Sequence, residues 1–346
     1  MPRAPSRHRA VVVGLGAAAA PHLRSLLDLA DRVEIAAAVT RSAERRAAVA
    51  ASFPGVPVTD DLEGAIADPS IDLAFVLTPP DAREDLIGRL AAAGKHLLCE
   101  KPIERTTSAA ERIVRACEAA GVRLAVMFQM RMRESSRRLK ALLDSGELGR
   151  LGFVEVRVPW WRPQSYYDQP GRGTFGRDGG GVLITQAIHT LDLLIHLLGP
   201  VREVAAVAAT TALHRLEGED FAAAGLLLEG GVPGSLMATT AAFPGGPEQI
   251  LIVGERASVL LEGGTLLLRR PDGTEERIGE AGGTGGGAAF MDFPHDWHRA
   301  VIADFLDAVE EGREPAVSGR SALRVHRLID ALLLSARRGR RLRVEG

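Results

Sequence analysis

Short apolar runs alternate with helical stretches through the first third of the chain. Residues 10–13 read as a β-branched strand that runs into Gly14-Leu15-Gly16, and an apolar helical pattern follows at Leu23, Leu26, Leu27 and Ala30. The theme repeats as strand 33–39, helix 43–52, strand 71–77, helix 81–93, strand 96–99, helix 109–120 and strand 122–126. Continuous apolar strands joined by helices predict a parallel sheet covered on both faces, with ligands bound beyond the strands' carboxyl ends. From Leu151 this alternation stops. Strand-like runs follow at 151–158, 201–210, 220–228, 232–240, 248–253, 256–262 and 265–270, separated by turns such as Glu229-Gly230-Gly231 and Pro271-Asp272-Gly273. The stretch 282–287 is nearly all glycine and reads as a mobile loop, and helical pattern returns at 296–311 and 318–336.

At 346 residues, two domains are expected, here 1–127 and 128–346. A net charge of −2 without long single-sign runs argues against nucleic-acid or membrane-surface partners, which need a concentrated basic field. Cys99 and Cys117 are too few for a disulfide framework or zinc site and fit a reducing compartment, so a cytoplasmic location is expected. No apolar run reaches the roughly 18 residues of a membrane span. The basic start and the apolar stretch 10–20 look like a signal peptide. The strand, glycine turn and helix in that same stretch favour a folded βα unit, and Arg7-His8-Arg9 is not a twin-arginine signal.

That first turn carries Gly14, Gly16 and Ala19. Gly14 permits the tight turn, Gly16 lets backbone approach a pyrophosphate, and a small residue at 19 lets helix and strand pack closely. The helix start adds N–H groups and partial positive charge for the phosphates. An NAD site usually places an acid at the end of the second strand, against the ribose 2′-hydroxyl. Here Thr40-Arg41-Ser42 stand there, with no acid before Glu44. Two hydroxyls and a guanidinium suit a 2′-phosphate, so NADP(H) is favoured and NAD(H) is the alternative. Ser42 also serves as an ordinary helix N-cap, and both roles can hold together.

Basic residues are thirty-nine Arg and only three Lys: Lys95, Lys101 and Lys140. Each Lys raises the question of whether a titratable amine is needed where guanidinium cannot serve. Lys101 stands in Gly94-Lys-His-Leu-Leu-Cys-Glu-Lys-Pro102, downstream of Thr78-Pro79-Pro80 at the end of the preceding core strand. Glu100-Lys101-Pro102, together with the opening glycine fingerprint, resembles the glucose–fructose oxidoreductase / inositol dehydrogenase / MocA (Gfo/Idh/MocA) family. The resemblance continues through Gln129-Met130-Arg131, Ser145-Gly146-Glu147-Leu148-Gly149, Gly179-Gly180-Gly181, Ile188-His189-Thr190-Leu191-Asp192, Glu311-Gly312-Arg313-Glu314-Pro315 and Ser335-Ala336-Arg337. It implies an α/β Rossmann domain followed by an α+β domain with an open, mostly antiparallel sheet, often used for oligomerisation. A homodimer or homotetramer through that sheet is therefore expected. It also implies that Thr78, Pro79, Glu100, Lys101 and Gln129 line the cofactor site.

Hydride transfer from a hydroxyl-bearing carbon needs a base for the O–H proton and a donor to steady the developing oxyanion. Lys101 suits either role, and in the family the matching Lys contacts the reacting hydroxyl. The alternative is a surface ion pair with Glu100. The helical stretch 182–198 follows a triple glycine and carries Thr185, His189 and Asp192 at i−4, i and i+3, hence on one face. The family has a catalytic His here, usually with Asp four residues earlier, where this chain has Thr185. Thr can orient the imidazole but not stabilise its charged form, so His189 works alone or is supported by Asp192. His189, Asp192 and His196 also suggest a metal, but no fourth ligand is identifiable and none is expected.

Four of the five Trp and Tyr fall in Trp160-Trp161-Arg162-Pro163-Gln164-Ser165-Tyr166-Tyr167. Flat rings stack on sugars, Arg162 and Gln164 can bond hydroxyls or a carboxylate, and Arg172 and Arg177 hint at an acidic group on the substrate. An oligomer contact is the competing reading. Together these features predict an NAD(P)-dependent oxidoreductase acting on a sugar, polyol or sugar acid. The alternatives are a redox-assisted glycosidase or epimerase with transient cofactor use, and a non-catalytic cofactor-sensing regulator on the same fold.

Overall fold

The structure, a computed structural model, describes residues 7–280, 286 and 294–345. It divides into two compact units: the described residues up to Met127 together with His295–Ala322, and Phe128–Pro294 together with those from Leu323 onward.

The first unit is built on β1 (His8–Val13), β2 (Val33–Val39), β3 (Val58–Thr59), β4 (Leu73–Val76), β5 (His96–Cys99) and β6 (Leu124–Val126). They pair in the order β3-β2-β1-β4-β5-β6, all parallel. Leu73, Ala74, Phe75 and Val76 are each 0% exposed, which is why β4 reads as a continuous apolar run. Helices Ala19–Asp28, Ala43–Ser52, Arg83–Ala92 and Thr107–Ala119 connect the strands. Strand order reverses between β1 and β4, and in open α/β sheets the crevice at such a reversal is the ligand site.

Assigning everything after residue 127 to the second domain needs one correction. Helix Asp296–Glu311 packs on helix Ala19–Asp28 and buries Val301, Ile302 and Phe305, the last edge-on to Phe75 at 6.1 Å. Just beyond it, Val317 O accepts the Val126 N–H at 2.9 Å, so this returning segment closes the β6 edge of the sheet.

The second unit holds β7 (Leu151–Pro159), β8 (Val201–Ala209), β9 (Phe221–Leu228), β10 (Pro233–Thr239), β11 (Gln249–Gly254), β12 (Ser258–Glu262), β13 (Thr265–Arg269), β14 (Glu275–Ile278) and β15 (Leu342–Arg343). Their order is β14-β13-β12-β11-β7-β10-β9-β8-β15, antiparallel throughout except for β7 against β10. Strand alternation is clean: Val154, Val156 and Val158 point into the core, while Phe153 stays 43% exposed. The outer face continues through half-exposed Met237, Leu251, Leu260 and Leu267 to Val207, 65% exposed. Helix Glu134–Asp144 packs against β12 and β13. The glycine run 282–287 lies outside the described residues except Gly286, whose carbonyl accepts the Trp161 N–H at 2.9 Å. Among the described residues no helix is long and apolar enough to cross a membrane.

Candidate active site

In the first unit, the turn after β1 is dictated by crowding. A Cβ on Gly14, at φ +101°, would stand 2.7 Å from Thr78 N and 2.9 Å from the Leu77 carbonyl carbon, so only glycine fits. Gly16 is the reverse case: nothing lies within 4 Å of where its Cβ would be. The helix that Ala19 begins has no side-chain cap and no acid in its first turn, which leaves its N–H groups to an anion. Thr78 Oγ1, at the end of β4, is buried without a hydrogen-bond partner among the described residues. A close-packed turn, open space over a second glycine and an orphaned hydroxyl are what a bound dinucleotide requires, and these residues fit one. Pro79 is exposed beside them.

Beyond β2, Thr40 N donates to Thr59 O at 3.0 Å, and Arg46 donates to Thr40 O at 2.8 Å while pairing with Asp60 at 3.1 Å. Arg41 is exposed. Ser42 caps the next helix by accepting the Arg45 N–H at 3.2 Å, and its own hydroxyl proton remains available to donate.

The three lysines separate by environment. Lys95 is 1% exposed and donates to the carbonyls of Asp68 and Ile71, both at 2.9 Å, whereas Lys140 pairs with Asp144 along one helix face. Lys101 alone stands at the strand ends, just past β5 and followed by a cis peptide to Pro102. Its neighbour Glu100 is not a surface ion-pair partner. Glu100 is 8% exposed, with Oε1 2.8 Å from His22 Nε2 and Oε2 accepting the Lys101 N–H at 3.2 Å. Burial alone would raise the Glu100 carboxyl, but the His22 hydrogen bond and the charges of His22, His298 and Lys101 outweigh it and hold the group at about 2. His298 packs edge-on to His22 at 5.2 Å, and burial pushes its imidazole down to about 3. Donor atoms of His22, Glu100 and His298 all lie within 4.8 Å of one another. Both Glu100 oxygens are already hydrogen-bonded, so the cluster reads as a support rather than a metal cradle. Neither His22 nor His298 announces itself in the sequence.

In the second unit, His189 sits one residue into helix Ile188–Leu198, 8% exposed and edge-on to Phe128 at 5.9 Å. Residues Leu183–Ala187 just before it form a π-helical turn, a distortion that recurs at functional sites. That turn interrupts the α-helical repeat on which the face-sharing of Thr185 and His189 was argued. Thr185 Oγ1 donates to Gly181 O at 2.6 Å and also reaches Gln186 Oε1. Asp192 is held by Arg131, which donates to its carboxylate from Nε and Nη2. An Arg131–Asp192 pair thus stands one turn beyond His189; Arg131 was legible only as part of Gln129-Met130-Arg131. Gln129 lies in this unit, in the turn Gln129–Met132, with buried Oε1 unpartnered among the described residues.

The aromatic cluster divides. Tyr166 has the Arg162 guanidinium 5.8 Å and the Arg172 guanidinium 5.1 Å from its ring centre, and Gln186 Nε2 3.4 Å from its hydroxyl. These four side chains converge, and Gln186 belongs to the π-turn that leads to His189. Tyr167 instead turns its hydroxyl onto Thr240 Oγ1 at 2.6 Å and packs on His214 at 5.0 Å. Trp161 stacks edge-on with Phe243 at 5.2 Å, and Trp160 lies buried beneath Arg162 at 5.4 Å. Tyr167 and Trp160 thus pack the unit's interior.

Residues 8–128 match the family described as "Oxidoreductase family, NAD-binding Rossmann fold", and residues 136–260 match the "GFO/IDH/MocA C-terminal domain". The chain is 30% identical to the WlbA dehydrogenase from Bordetella pertussis, solved in complex with NADH and UDP-GlcNAcA, at a TM-score of 0.83 over 98% of this chain and 99% of that one. It is 27% identical to inositol 2-dehydrogenase of Rhizobium meliloti, over 96% of this chain and 98% of that protein. The match to scyllo-inositol 2-dehydrogenase (NADP(+)) IolW of Bacillus subtilis, 28% identical, covers 56% of this chain and about half, 53%, of that protein. With a Rossmann unit, a mostly antiparallel second sheet and both halves matched, the chain belongs to the Gfo/Idh/MocA family of NAD(P)-binding oxidoreductases.

Proposed function

We infer that the protein is an NAD(P)-dependent dehydrogenase or reductase acting on a hydroxyl or keto carbon of a sugar, polyol or sugar acid. The reading rests chiefly on the carboxyl ends of β1, β4 and β5, where the Gly14 turn backed on Thr78, the open space over Gly16, and Lys101 occur together. A bound nicotinamide supplies the two-electron acceptor for the hydride that leaves the substrate carbon. Lys101 is assigned to the reacting oxygen, and His189 to the proton released as C–OH becomes C=O. Arg162, Arg172, Tyr166 and Gln186 are assigned to substrate binding. Two guanidinium groups beside one ring favour a substrate bearing a carboxylate or another anion. NADP(H) is favoured because Thr40, Arg41 and Ser42 offer a cation and hydroxyls without an acid.

The reading extends to assembly and location. The half-apolar outer face of the second unit's sheet fits a homodimer or homotetramer, and two buried free cysteines fit a reducing cytoplasm.

Thermal stabilisation by NADPH, NADH and a panel of polyols, sugars and sugar acids tests the proposal, followed by nicotinamide absorbance with each stabilising pair. Net cofactor turnover is expected. Cofactor binding with product formation but no net turnover would point to the transient-redox reading, and binding with no turnover by any compound to a regulator.

A further inference from the structure

Arg83, at the start of helix Arg83–Ala92, is 2% exposed and hydrogen-bonds to no carboxylate among the described residues. Its guanidinium is spread over three main-chain carbonyls. Nε and Nη2 donate to Thr78 O at 2.9 and 2.5 Å, and Nη1 donates to Glu100 O and Pro102 O. These acceptors stand at the ends of two adjacent strands. Thr78 lies in the cofactor turn after β4, and Glu100 and Pro102 flank Lys101 after β5. Burying a guanidinium costs several kcal/mol unless hydrogen bonds and opposite charge compensate, so the position demands a reason. A planar fork that spans three fixed acceptors is something neither lysine nor an apolar residue provides. From the other side, Glu100 holds the Lys101 N–H and is itself held by His22.

We propose that Arg83, together with the His22–Glu100 pair, is a positioning device that fixes the backbone bearing Lys101 against the cofactor turn at Thr78. Arg83 touches neither reacting group. It acts by denying the two strand-end loops independent movement, and small displacements of a reacting group are costly. The inference rests on the assignment of Lys101 given above.

Because the chain has only three lysines, reductive methylation with a carbon-13 label gives few side-chain signals, and Lys101→Arg assigns the one of interest. Arg83→Gln and Glu100→Gln should each shift and broaden the Lys101 signal while leaving that of Lys140 in place. With the polyol or sugar acid that turns over best, kcat should fall at least about tenfold in both, while in Arg83→Gln cofactor Kd stays within about threefold. Adding Arg83→Gln to Lys101→Ala should cost no further turnover, since the device has nothing left to position. An unchanged Lys101 signal in folded Arg83→Gln, or losses that multiply in the double variant, overturns the proposal. Should Arg83→Gln not fold, Glu100→Gln carries the same readouts alone. If Lys101→Ala keeps full turnover while its signal still responds to Arg83, the catalytic assignment fails and the positioning stands.

Discussion

Arg131 grips Asp192 inside the second unit, Nε to Oδ2 at 2.7 Å, with the two side chains 5% and 2% exposed. The pair ties the turn after β6 to the helix one turn beyond His189. Removing one partner strands a buried charge, so Asp192→Asn should destabilise by about 3–5 kcal/mol. Replacing both, as Arg131→Met with Asp192→Leu, should recover much of that. Urea unfolding of the two variants against the parent decides, and a loss below about 1 kcal/mol in Asp192→Asn means the pair is not compensating a buried charge.

Cofactor choice is tested at Arg41. Arg41→Ala should weaken NADP(H) by about 1–3 kcal/mol, the value of a charge-assisted contact, and barely touch NAD(H). Equal affinity of the unmodified protein for both cofactors removes the basis of the assignment.

Lys101→Ala and His189→Ala should each lower kcat by about 10²–10⁴ with cofactor affinity nearly constant. A variant that turns over normally takes its residue out of the mechanism. Thr185→Asp tests whether residue 185 still reaches His189 across the π-helical turn: if it does, the carboxylate moves the pH–rate profile, and an unchanged profile separates the two side chains.

Much of the fold was legible because its signals are long and periodic. The parallel strands show as uninterrupted apolar runs, and those of the second sheet as apolar runs cut by turn residues such as Glu229-Gly230-Gly231. Helix Glu134–Asp144 escaped notice because its buried face is Ser135, Ser136, Leu139 and Leu142, half of it polar. Two-residue strands such as β3 and β15 have no period to read. Within the site, glycine spacing pointed to the cofactor turn because sterics admit no other residue at Gly14. Arg83, His22 and His298 were invisible, since a buried polar residue far along the chain from its partners carries no local pattern. Tyr166 and Tyr167 are adjacent letters, and the turn of about 100° between neighbours in the short helix Gln164–Tyr167 sends them into different surroundings.

Acid stability should report on the His298 cluster. His298 titrates near 6.5 when unfolded but at about 3 when folded, so between those values only the unfolded chain takes up the proton and stability falls as pH falls. Glu100, depressed from 4.5 to about 2, adds stability that is complete above 4.5 and is lost on acidification through about 2. His298→Leu should flatten the dependence of Tm on pH between about 6.5 and 3. Parallel curves for variant and parent would refute this.

Tyr166→Ala should raise KM for the substrate, with kcat lowered if the ring also orients the reacting carbon. Tyr167→Phe, which strands Thr240, should lower Tm and leave KM alone. Interchanged outcomes would move the binding role one residue along the chain.

The return of residues 295–322 to the first unit sets an order of events during synthesis. A nascent chain that has delivered residue 127 holds all six strands of the parallel sheet but lacks the helix that shields Phe75 and the carbonyl that receives the Val126 N–H. The nucleotide-binding half, although first to emerge, must therefore wait with an apolar face open while some 190 further residues, to Val317, leave the ribosome, about 10–40 s at ordinary elongation rates. Its early emergence does not make it an early folder, and truncation after the sixth strand should yield a chaperone client rather than a free-standing domain.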